Sequence, residues 1–481
     1  LLWIADTSIG HRFLADRIAA QSPASGLKIR IGRIDGSIYS RARLRDVRLS
    51  DSEGLFFHVS DARLHWTPAS WLANRLDIAS LDIPSATLHK MPKLKPTRKR
   101  ASILPGFDIH IGRIAIERLV IEPVVTGGKR RMGHLAAGAD IRRGRALIKL
   151  KADAAAGDRL ALLLDAEPDG NRFDLDADLN APAGGVFGQI IGTSRPVELH
   201  VRGDGRWTHW QGKFLGRVSG LQIAELALSN DAGNFALAGQ LALSSITHGK
   251  LQRLTAPVLR VRGDGKLAGR KFQGSLHLAS QALTADFSGS ADLASNRFNP
   301  LNIDAQLLQP RALFPNMTGR NIFLKARLDG AFGAANFDYL LTAPFVAFDR
   351  TGLEMVRASG QGRLGKTPVL VPLKLSARRI TGVGDVAGGI LANISVNGLL
   401  SVTAKALTGD GLILKSDKLS GKLTLFVDLL TGRYDIGLAG QLQRYLIPGV
   451  GIVDVKSELK LVPGAGGRGT QVVGRGQAWV R

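Results

Sequence analysis

Apolar and polar residues alternate with a period of two along most of this chain, and this pattern constrains the fold more than any other feature. Leu27, Ile29 and Ile31 fall on one side of such a segment, and Lys28 and Arg30 fall on the other. Period two is the side-chain repeat of a β-strand with one buried face. The alternation recurs in segments such as IERLVIEP, FDLDADLN, LQIAELALSN and NIFLKARLDG, so we expect roughly twenty or more strands.

Short clusters of Gly, Asn, Asp and Ser separate these segments, as is typical of tight turns between antiparallel strands. The chain also repeats itself, because IRIGRI at 29–34 returns as IHIGRI at 109–114, and VRGDG occurs at 201–205 and 261–265. A sheet that keeps adding similar rungs does not need to close. The sequence therefore predicts an all-β fold, an elongated and curled antiparallel sheet that forms a groove-like solenoid. A closed β-sandwich or β-helix with a dry core is the alternative.

Aliphatic residues in and beside the two IxIGRI segments are the predicted lining of an apolar groove. They are Leu27, Ile29, Ile31, Ile34, Ile109, Ile111, Ile114 and Ile116. Ile34 is out of phase with Ile31 because Gly32 and Arg33 stand between them, which indicates a bulge or a bend in the strand.

Only a few segments have helical character. TSIGHRFLADRIAAQ begins with a capping Thr7 and places its aliphatic residues and Phe13 on one face, which predicts an amphipathic helix. The residues before it, LLWIAD, are too few for a span of about 20 residues, and we expect them to be the end of a longer membrane anchor. Thr67 and Pro68 predict a short helix near 68–75.

These features divide the chain into three predicted regions. Residues 1–25 contain the end of the anchor and the amphipathic helix, and residues 26–125 form an N-terminal β-groove region. Residues 126–481 continue as a Gly-rich β-meander.

The formal net charge is +24, from 64 Lys and Arg against 40 Asp and Glu. This balance suits an anionic partner, which is either a lipid headgroup surface or nucleic acid, although a solvated surface without a partner explains it equally well. Aromatic residues are sparse around the basic clusters, so we predict no nucleic acid. The basic residues predicted to face solvent or headgroups are Lys28, Arg30, Lys93, Lys95, Arg98, Lys99, Arg100, Lys129, Arg130 and Arg131.

Several motifs imitate catalytic or binding sites. GQGRLGKT at 360–367 matches a phosphate-binding loop, but the alternating PVLVPLKLSA that follows predicts a strand where such a loop needs a helix. RGD at 202–204 and 262–264 is predicted to be a turn between strands. Cysteine is absent, and the ten histidines show no zinc-binding spacing. The sequence therefore predicts no enzyme, no metal and no cofactor.

Residues 1–125 resemble the N-terminal region of TamB-type translocation and assembly module proteins, members of the AsmA-like superfamily. The resemblance lies in TSIGHRFLADRIAAQ, LKIRIGRIDGSIYSRARLRDVRLSDSEGLFF, HWTPASWLANRLDIASLDIPSATLHKMPKL and ILPGFDIHIGRIAIERLVI. It implies an inner-membrane anchor, a periplasmic β-groove with an apolar interior, and movement of phospholipid between the two membranes of a Gram-negative envelope. It also implies an Omp85-type outer-membrane barrel as partner, through a C-terminal region that is not recognisable in this sequence.

The expected function is therefore a periplasmic lipid conduit that contributes to outer-membrane biogenesis and has phospholipid as its cargo. An alternative function is that of a chaperone or assembly factor for outer-membrane proteins of the autotransporter type, which binds unfolded chains by strand addition.

Overall fold

The computed structural model describes residues 7, 11–13, 15–16, 26–92, 108–126, 128–142, 145–154, 157–167, 171–191, 193–268, 271–293, 295–365, 367–382, 390–447, 451–463 and 470–480. The strands there belong to one hydrogen-bonded sheet of 28 strands, and the predicted all-β, curled and largely antiparallel fold class is confirmed. Two compact units divide the chain. Unit 1 is Leu1–Gln240 with Lys266–Arg270, and unit 2 is Leu241–Gly265 with Lys271–Arg481.

The first thirteen strands, in chain order, all belong to this sheet. They are β1 (Lys28–Gly36), β2 (Arg41–Asp51), β3 (Gly54–Trp66), β4 (Arg75–Leu88), β5 (Asp108–Ile121), β6 (Arg131–Arg142), β7 (Arg145–Ala154), β8 (Asp158–Glu167), β9 (Arg172–Ala181), β10 (Val197–Arg206), β11 (His209–Val218), β12 (Leu221–Asp231) and β13 (Asn234–Leu241).

Fifteen more strands continue the meander. They are β14 (Leu259–Ala268), β15 (Lys271–Ala279), β16 (Leu283–Asp292), β17 (Arg297–Leu307), β18 (Met317–Arg320), β19 (Ile322–Ala331), β20 (Asn336–Phe348), β21 (Thr351–Arg363), β22 (Val369–Thr381), β23 (Ala392–Val402), β24 (Ala406–Lys415), β25 (Leu419–Asp428), β26 (Tyr434–Ile447), β27 (Gly451–Pro463) and β28 (Thr470–Val480).

Short helices interrupt the meander at strand ends. They are α1 (Pro123–Thr126), α2 (Val186–Ile191), α3 (Gly249–Thr255) and α4 (Pro310–Leu313), with 3-10 helices at Pro68–Ala73 and Leu243–Ser245. The short helix expected near 68–75 is thus a 3-10 helix. No helix among the described residues has the length and the apolar character that a bilayer crossing demands.

The neighbouring strands β4 and β5 depart from the antiparallel pattern. β4 and β5 run parallel, with Leu76 beside Ile109 and Leu81 beside Ile114. Parallel neighbours need a connection of about a dozen residues or more, and residues 89–107 stand between these two strands in the sequence. The turn signals in the sequence predicted antiparallel neighbours and did not reveal this parallel pair.

The two repeated IxIGRI segments lie at local bends of the sheet. In β1 the ladder pairs Ile31 with Val47 and Ile34 with Leu44, so both strands advance three residues between successive apolar positions. Gly32 lies at this step, where a Cβ would approach the Cβ of Asp46 to 3.0 Å. Because of this three-residue spacing, Ile31 and Ile34 contact the same buried cluster. In a strand with strict period two they would lie on opposite faces.

Gly112 occupies the equivalent step in β5. A Cβ there would lie 2.7 Å from the backbone oxygen of Ala79 in β4. The pairing with β6 shifts register between Ile111 and Ile114, which is a β-bulge. The repeat therefore encodes a bend at which a glycine lets two backbones approach.

The VRGDG repeats lie inside strands, so the predicted turn was wrong. In β10, Gly203 and Gly205 stand between Phe173 of β9 and Trp210 of β11, whose rings stack with centroids 4.7 Å apart. A Cβ at Gly203 would lie 3.2 Å from the Phe173 ring. The glycines thus leave room for aromatic side chains from the two neighbouring strands.

The N-terminal helical residues pack differently from the prediction. Residues 11–13 and 15–16 are helical, and the His11 ring lies 3.0 Å from the backbone oxygen of Ile34. Ala15 is buried against Ile34 and Ala42. Phe13 is 66% exposed, so it does not belong to the buried side of this segment. The other predicted apolar positions of the helix lie outside the described residues.

Candidate functional site

One face of the sheet in unit 1 is aliphatic over many consecutive strands. Directly paired residues share a face of a sheet, so a row can be followed from strand to strand. One row crosses twelve strands, from β1 to β12. It consists of Gly36, Ala42, Leu64, Leu81, Ile114, Ala137, Leu150, Leu162, Ala177, Val201, Phe214 and Leu226.

A second row runs beside it through nine strands, from β4 to β12. It consists of Ile83, Ile116, Leu135, Ala152, Leu160, Leu179, Leu199, Gly216 and Ala224. We call the side of unit 1 that carries these rows the apolar face. Between β7 and β12 most of its side chains, such as Leu150, Leu162 and Phe214, are only half-buried. This face is therefore accessible over part of its length.

The predicted groove residues belong to the start of this surface. Ile29 pairs with Leu49 and Ile31 pairs with Val47, which continues the aliphatic rows. All eight predicted residues are half-buried or buried. Ile109, Ile111 and Ile114 are half-buried, and so are Leu27, Ile29 and Ile31. Ile34 and Ile116 are buried in clusters, at 8% and 7% exposure, and so they contribute to packing.

The opposite face carries cross-strand ion pairs. Arg43 binds Asp61 through two hydrogen bonds of 2.5 and 3.0 Å, and the guanidinium holds the pKa of Asp61 below its ordinary value. Arg145 binds Asp165 in the same way, at 3.0 and 2.9 Å. Paired positions of opposite charge stabilise neighbouring strands modestly at an exposed surface. This polar face explains much of the charged composition without a ligand.

The predicted basic residues that the structure describes do not form one site. Lys28 and Arg30 are exposed on β1, on the side opposite Ile29. Lys129 and Arg130 are exposed, and Arg130 lies 3.1 Å from a carboxylate oxygen of Glu122. Arg131 is half-buried and donates a hydrogen bond of 3.1 Å to the backbone oxygen of Gly184. The others lie outside the described residues: Lys93, Lys95, Arg98, Lys99 and Arg100.

Unit 2 contains a cavity that the sequence did not reveal. Its volume is about 330 Å³, and its wall comes from seven consecutive strands, β20 to β26. The lining is almost wholly aliphatic and aromatic, and it includes Val346, Leu353, Leu375, Ile394, Leu412 and Leu425. The lining comes largely from alternate residues of each strand, so the period-two pattern in the sequence indicated which side chains share this face. The pattern does not indicate where the sheet curls enough to enclose a cavity.

Two glycines make room for the deepest residue of this wall. Leu412 is fully buried, at 0% exposure, in the core cluster of unit 2. A Cβ at Gly398 would lie 2.5 Å from Leu412 Cδ2, and one at Gly409 would lie 2.8 Å from Cδ1. The ladder between β23 and β24 shifts register here, which turns Leu412 inward.

Aromatic residues close one end of the cavity wall. Phe348 of β20 and Tyr434 of β26 line the cavity, and their ring centroids are 6.4 Å apart. Phe314, which follows α4, packs behind Phe348 at 5.8 Å. The turn before β26 lies against Phe314, because a Cβ at Gly432 would come within 2.8 Å of the ring. We call Phe314, Phe348, Gly432 and Tyr434 the clasp.

A lysine covers the outer side of the clasp. The ammonium group of Lys250, on α3, lies 4.1 Å from the centroid of the Phe314 ring, which is a cation–π contact. Burial lowers the pKa of Lys250, the Arg253 charge lowers it further, and Asp428 acts in the opposite direction. Arg253 donates to the backbone oxygen of Ala312 at 3.1 Å and so ties α3 to α4.

Larger hollows lie on the polar side of unit 2. Two of them, of about 930 and 990 Å³, spread over β24 to β28 and share Lys422, Glu458 and Arg475. Arg475 pairs with Glu458 at 3.1 Å, so charges of both signs neutralise each other there. The smaller cavity, whose lining is almost wholly apolar, is the better candidate for a hydrocarbon ligand.

Within the described ranges, no three His, Asp or Glu side chains come together in a group that could hold a metal ion. Comparison of the chain with protein-family models, with curated proteins and with solved structures finds no match.

Proposed function

We propose that this protein is a non-enzymatic lipid conduit whose apolar face carries the acyl chains of phospholipid. The observation that supports it most directly is the unbroken apolar row from Gly36 to Leu226 across twelve paired strands. Cargo on a surface that is apolar along its length meets similar affinity at every position, so it can slide.

The free energy of hydration supports the same proposal. Soluble proteins rarely expose apolar patches larger than a few hundred Å². The half-buried row through Leu150, Leu162 and Phe214 forms a continuous apolar surface and not a set of scattered exposed residues. Acyl chains laid on these rows remove their own methylene groups from water at about 0.8 kcal/mol each.

We further propose the cellular context that the resemblance implies. The chain would be the periplasmic N-terminal portion of a TamB-like protein, anchored in the inner membrane and partnered by an Omp85-type barrel. In that setting the conduit moves phospholipid between the inner and outer membranes.

Site-specific photocrosslinking tests the proposal. A crosslinking amino acid at Ile111, on the apolar face, is expected to capture phospholipid in cells, whereas one at exposed Glu117 of the same strand is the control. Capture at both positions or at neither, with the protein folded, contradicts the conduit. Capture of unfolded outer-membrane polypeptides at Ile111 instead of lipid selects the chaperone function.

A further inference from the structure

We propose that the cavity of unit 2 is a discrete binding site for a single hydrocarbon chain. The inference rests on the proposed function for the class of ligand, and it adds a defined site where the conduit alone requires only a continuous surface.

The lining determines the chemistry of the ligand. None of the described residues that line the cavity is charged, and among them only Thr351 and Tyr434 carry hydroxyl groups. A buried water needs two to four polar partners, so a cavity of this composition stays dry. A headgroup or a carboxylate would lose its hydration there without compensation. The occupant is therefore hydrocarbon, and its polar end lies outside.

The volume limits the number of chains. The cavity measures about 330 Å³, which is roughly twice the size of an engineered 150 Å³ cavity that accepts one benzene molecule. It is at the lower end of the range of about 300–1,000 Å³ typical of small-molecule sites. One chain segment fits this space, and the two chains of a phospholipid do not fit side by side.

The clasp ends the cavity. Phe348 and Tyr434 meet at 6.4 Å, and Phe314 and Gly432 pack directly behind them. The apolar wall is thus interrupted by ring contacts, so a chain that enters from elsewhere reaches a stop. Strands of an uninterrupted groove would leave this position open.

Photolabelling of the full chain tests the site. One arm uses palmitic acid with a diazirine at its terminal carbon, and a second uses phosphatidylethanolamine vesicles whose lipid carries the same diazirine on one chain. Labelled residues are mapped by mass spectrometry. We expect labels on cavity residues such as Leu353, Leu375 and Leu425 in at least one arm, and the arm identifies a free acid or a membrane lipid as the source.

Two variants make the result specific. Val427→Trp places an indole in the cavity at a half-buried position, and it should reduce cavity labelling about tenfold or more, as added bulk in a hydrophobic pocket does. Ile413→Trp is the control, since Ile413 is 43% exposed and lies outside the lining. Circular dichroism verifies that both variants fold.

The outcomes separate the two proposals. Labels on the apolar face of unit 1 but none in the cavity overturn the discrete site and leave the conduit standing. Equal labelling of the cavity in both variants also overturns the site. Labels nowhere overturn both proposals, and more than one cavity-bound palmitate per chain at saturation overturns the single-chain stoichiometry.

Discussion

The rings of Phe348 and Tyr434 lie 6.4 Å apart although six strand-to-strand steps separate their strands in the sheet. Six steps in a flat sheet would span about 29 Å. The sheet of unit 2 must therefore curl strongly between β20 and β26. Because of this curl, one face of the sheet forms the wall of the cavity. The contact between the Phe348 and Tyr434 rings closes one end of that cavity.

The clasp makes a direct prediction for stability. Phe314 is 8% exposed and packs on Phe348, so Phe314→Ala should destabilise unit 2 by about 3–5 kcal/mol. Hydrogen exchange in β20 and β26 during urea titration measures the loss. Phe426→Ala serves as the control, because Phe426 is 46% exposed, and its change should stay within about 0.5 kcal/mol. Equal effects of the two substitutions would show that the clasp contributes no stability.

Gly432 gives a second, backbone-based prediction. Its φ is +76°, and a Cβ would come within 2.8 Å of the Phe314 ring. Gly432→Ala therefore combines a left-handed strain of about 1–2 kcal/mol with a steric clash. Gly411→Ala is matched to it, since Gly411 has φ +63° and open space around its Cβ position.

Thermal denaturation followed by tryptophan fluorescence or exchange compares the two glycine variants. Gly432→Ala should lower the free energy of unfolding by more than Gly411→Ala. If the two losses are equal, the turn before β26 does not pack tightly against Phe314.

A buried carboxylate in unit 1 leads to a third prediction. Asp158 is 0% exposed and accepts hydrogen bonds from the backbone amides of Val186 and Phe187, at 2.8 and 3.0 Å. It holds the start of α2 in place. Asp158→Ala leaves both amides without this acceptor and should cost about 1–3 kcal/mol.

Amide exchange at Val186 and Phe187 is the direct readout for Asp158→Ala, and it should accelerate. Asp153→Ala, at an exposed position of β7, provides the control. Unchanged protection of the two amides in Asp158→Ala would contradict the capping role.

The dependence of stability on pH follows from the ion pairs of the polar face. Hydrogen bonds from Arg43 lower the pKa of Asp61, so ionised Asp61 stabilises the folded state above the ordinary unfolded pKa of about 3.9. This contribution is lost as the pH falls through the lower folded pKa. Asp61→Asn should therefore be less stable than the native chain at pH 7, and the difference should shrink below about pH 4. Urea denaturation at several pH values measures it, and a difference that grows on acidification would reverse the assigned sign.

Part of this fold could be predicted from the sequence, because alternation fixes which side chains share a face. The period-two pattern was enough to place Leu27, Ile29 and Ile31 on one face. The change of phase after Ile31 indicated the bend at Gly32. The VRGDG segments misled because glycine signals a turn, whereas Gly203 and Gly205 accommodate aromatic rings of adjacent strands. The cavity could not be predicted from the sequence, because it depends on contacts such as Phe348–Tyr434 between residues distant in sequence.

Two adjacent leucines distinguish the faces of unit 1 and give the sharpest test of the conduit. Leu162 pairs with Leu150 and Ala177 in the long aliphatic row. Leu163 points to the other face, where it pairs with Lys149 and Asp176.

An arginine against acyl chains costs about 2–4 kcal/mol. Leu162→Arg should therefore reduce the lipid that copurifies with unit 1, counted per chain by mass spectrometry. Leu163→Arg introduces the same charge next to the carboxylate of Asp176 and should leave the lipid content unchanged, because the acyl chains lie on the opposite face. Equal lipid content in the two variants would mean that the bound lipid does not use the aliphatic row, and the conduit would lose its physical basis.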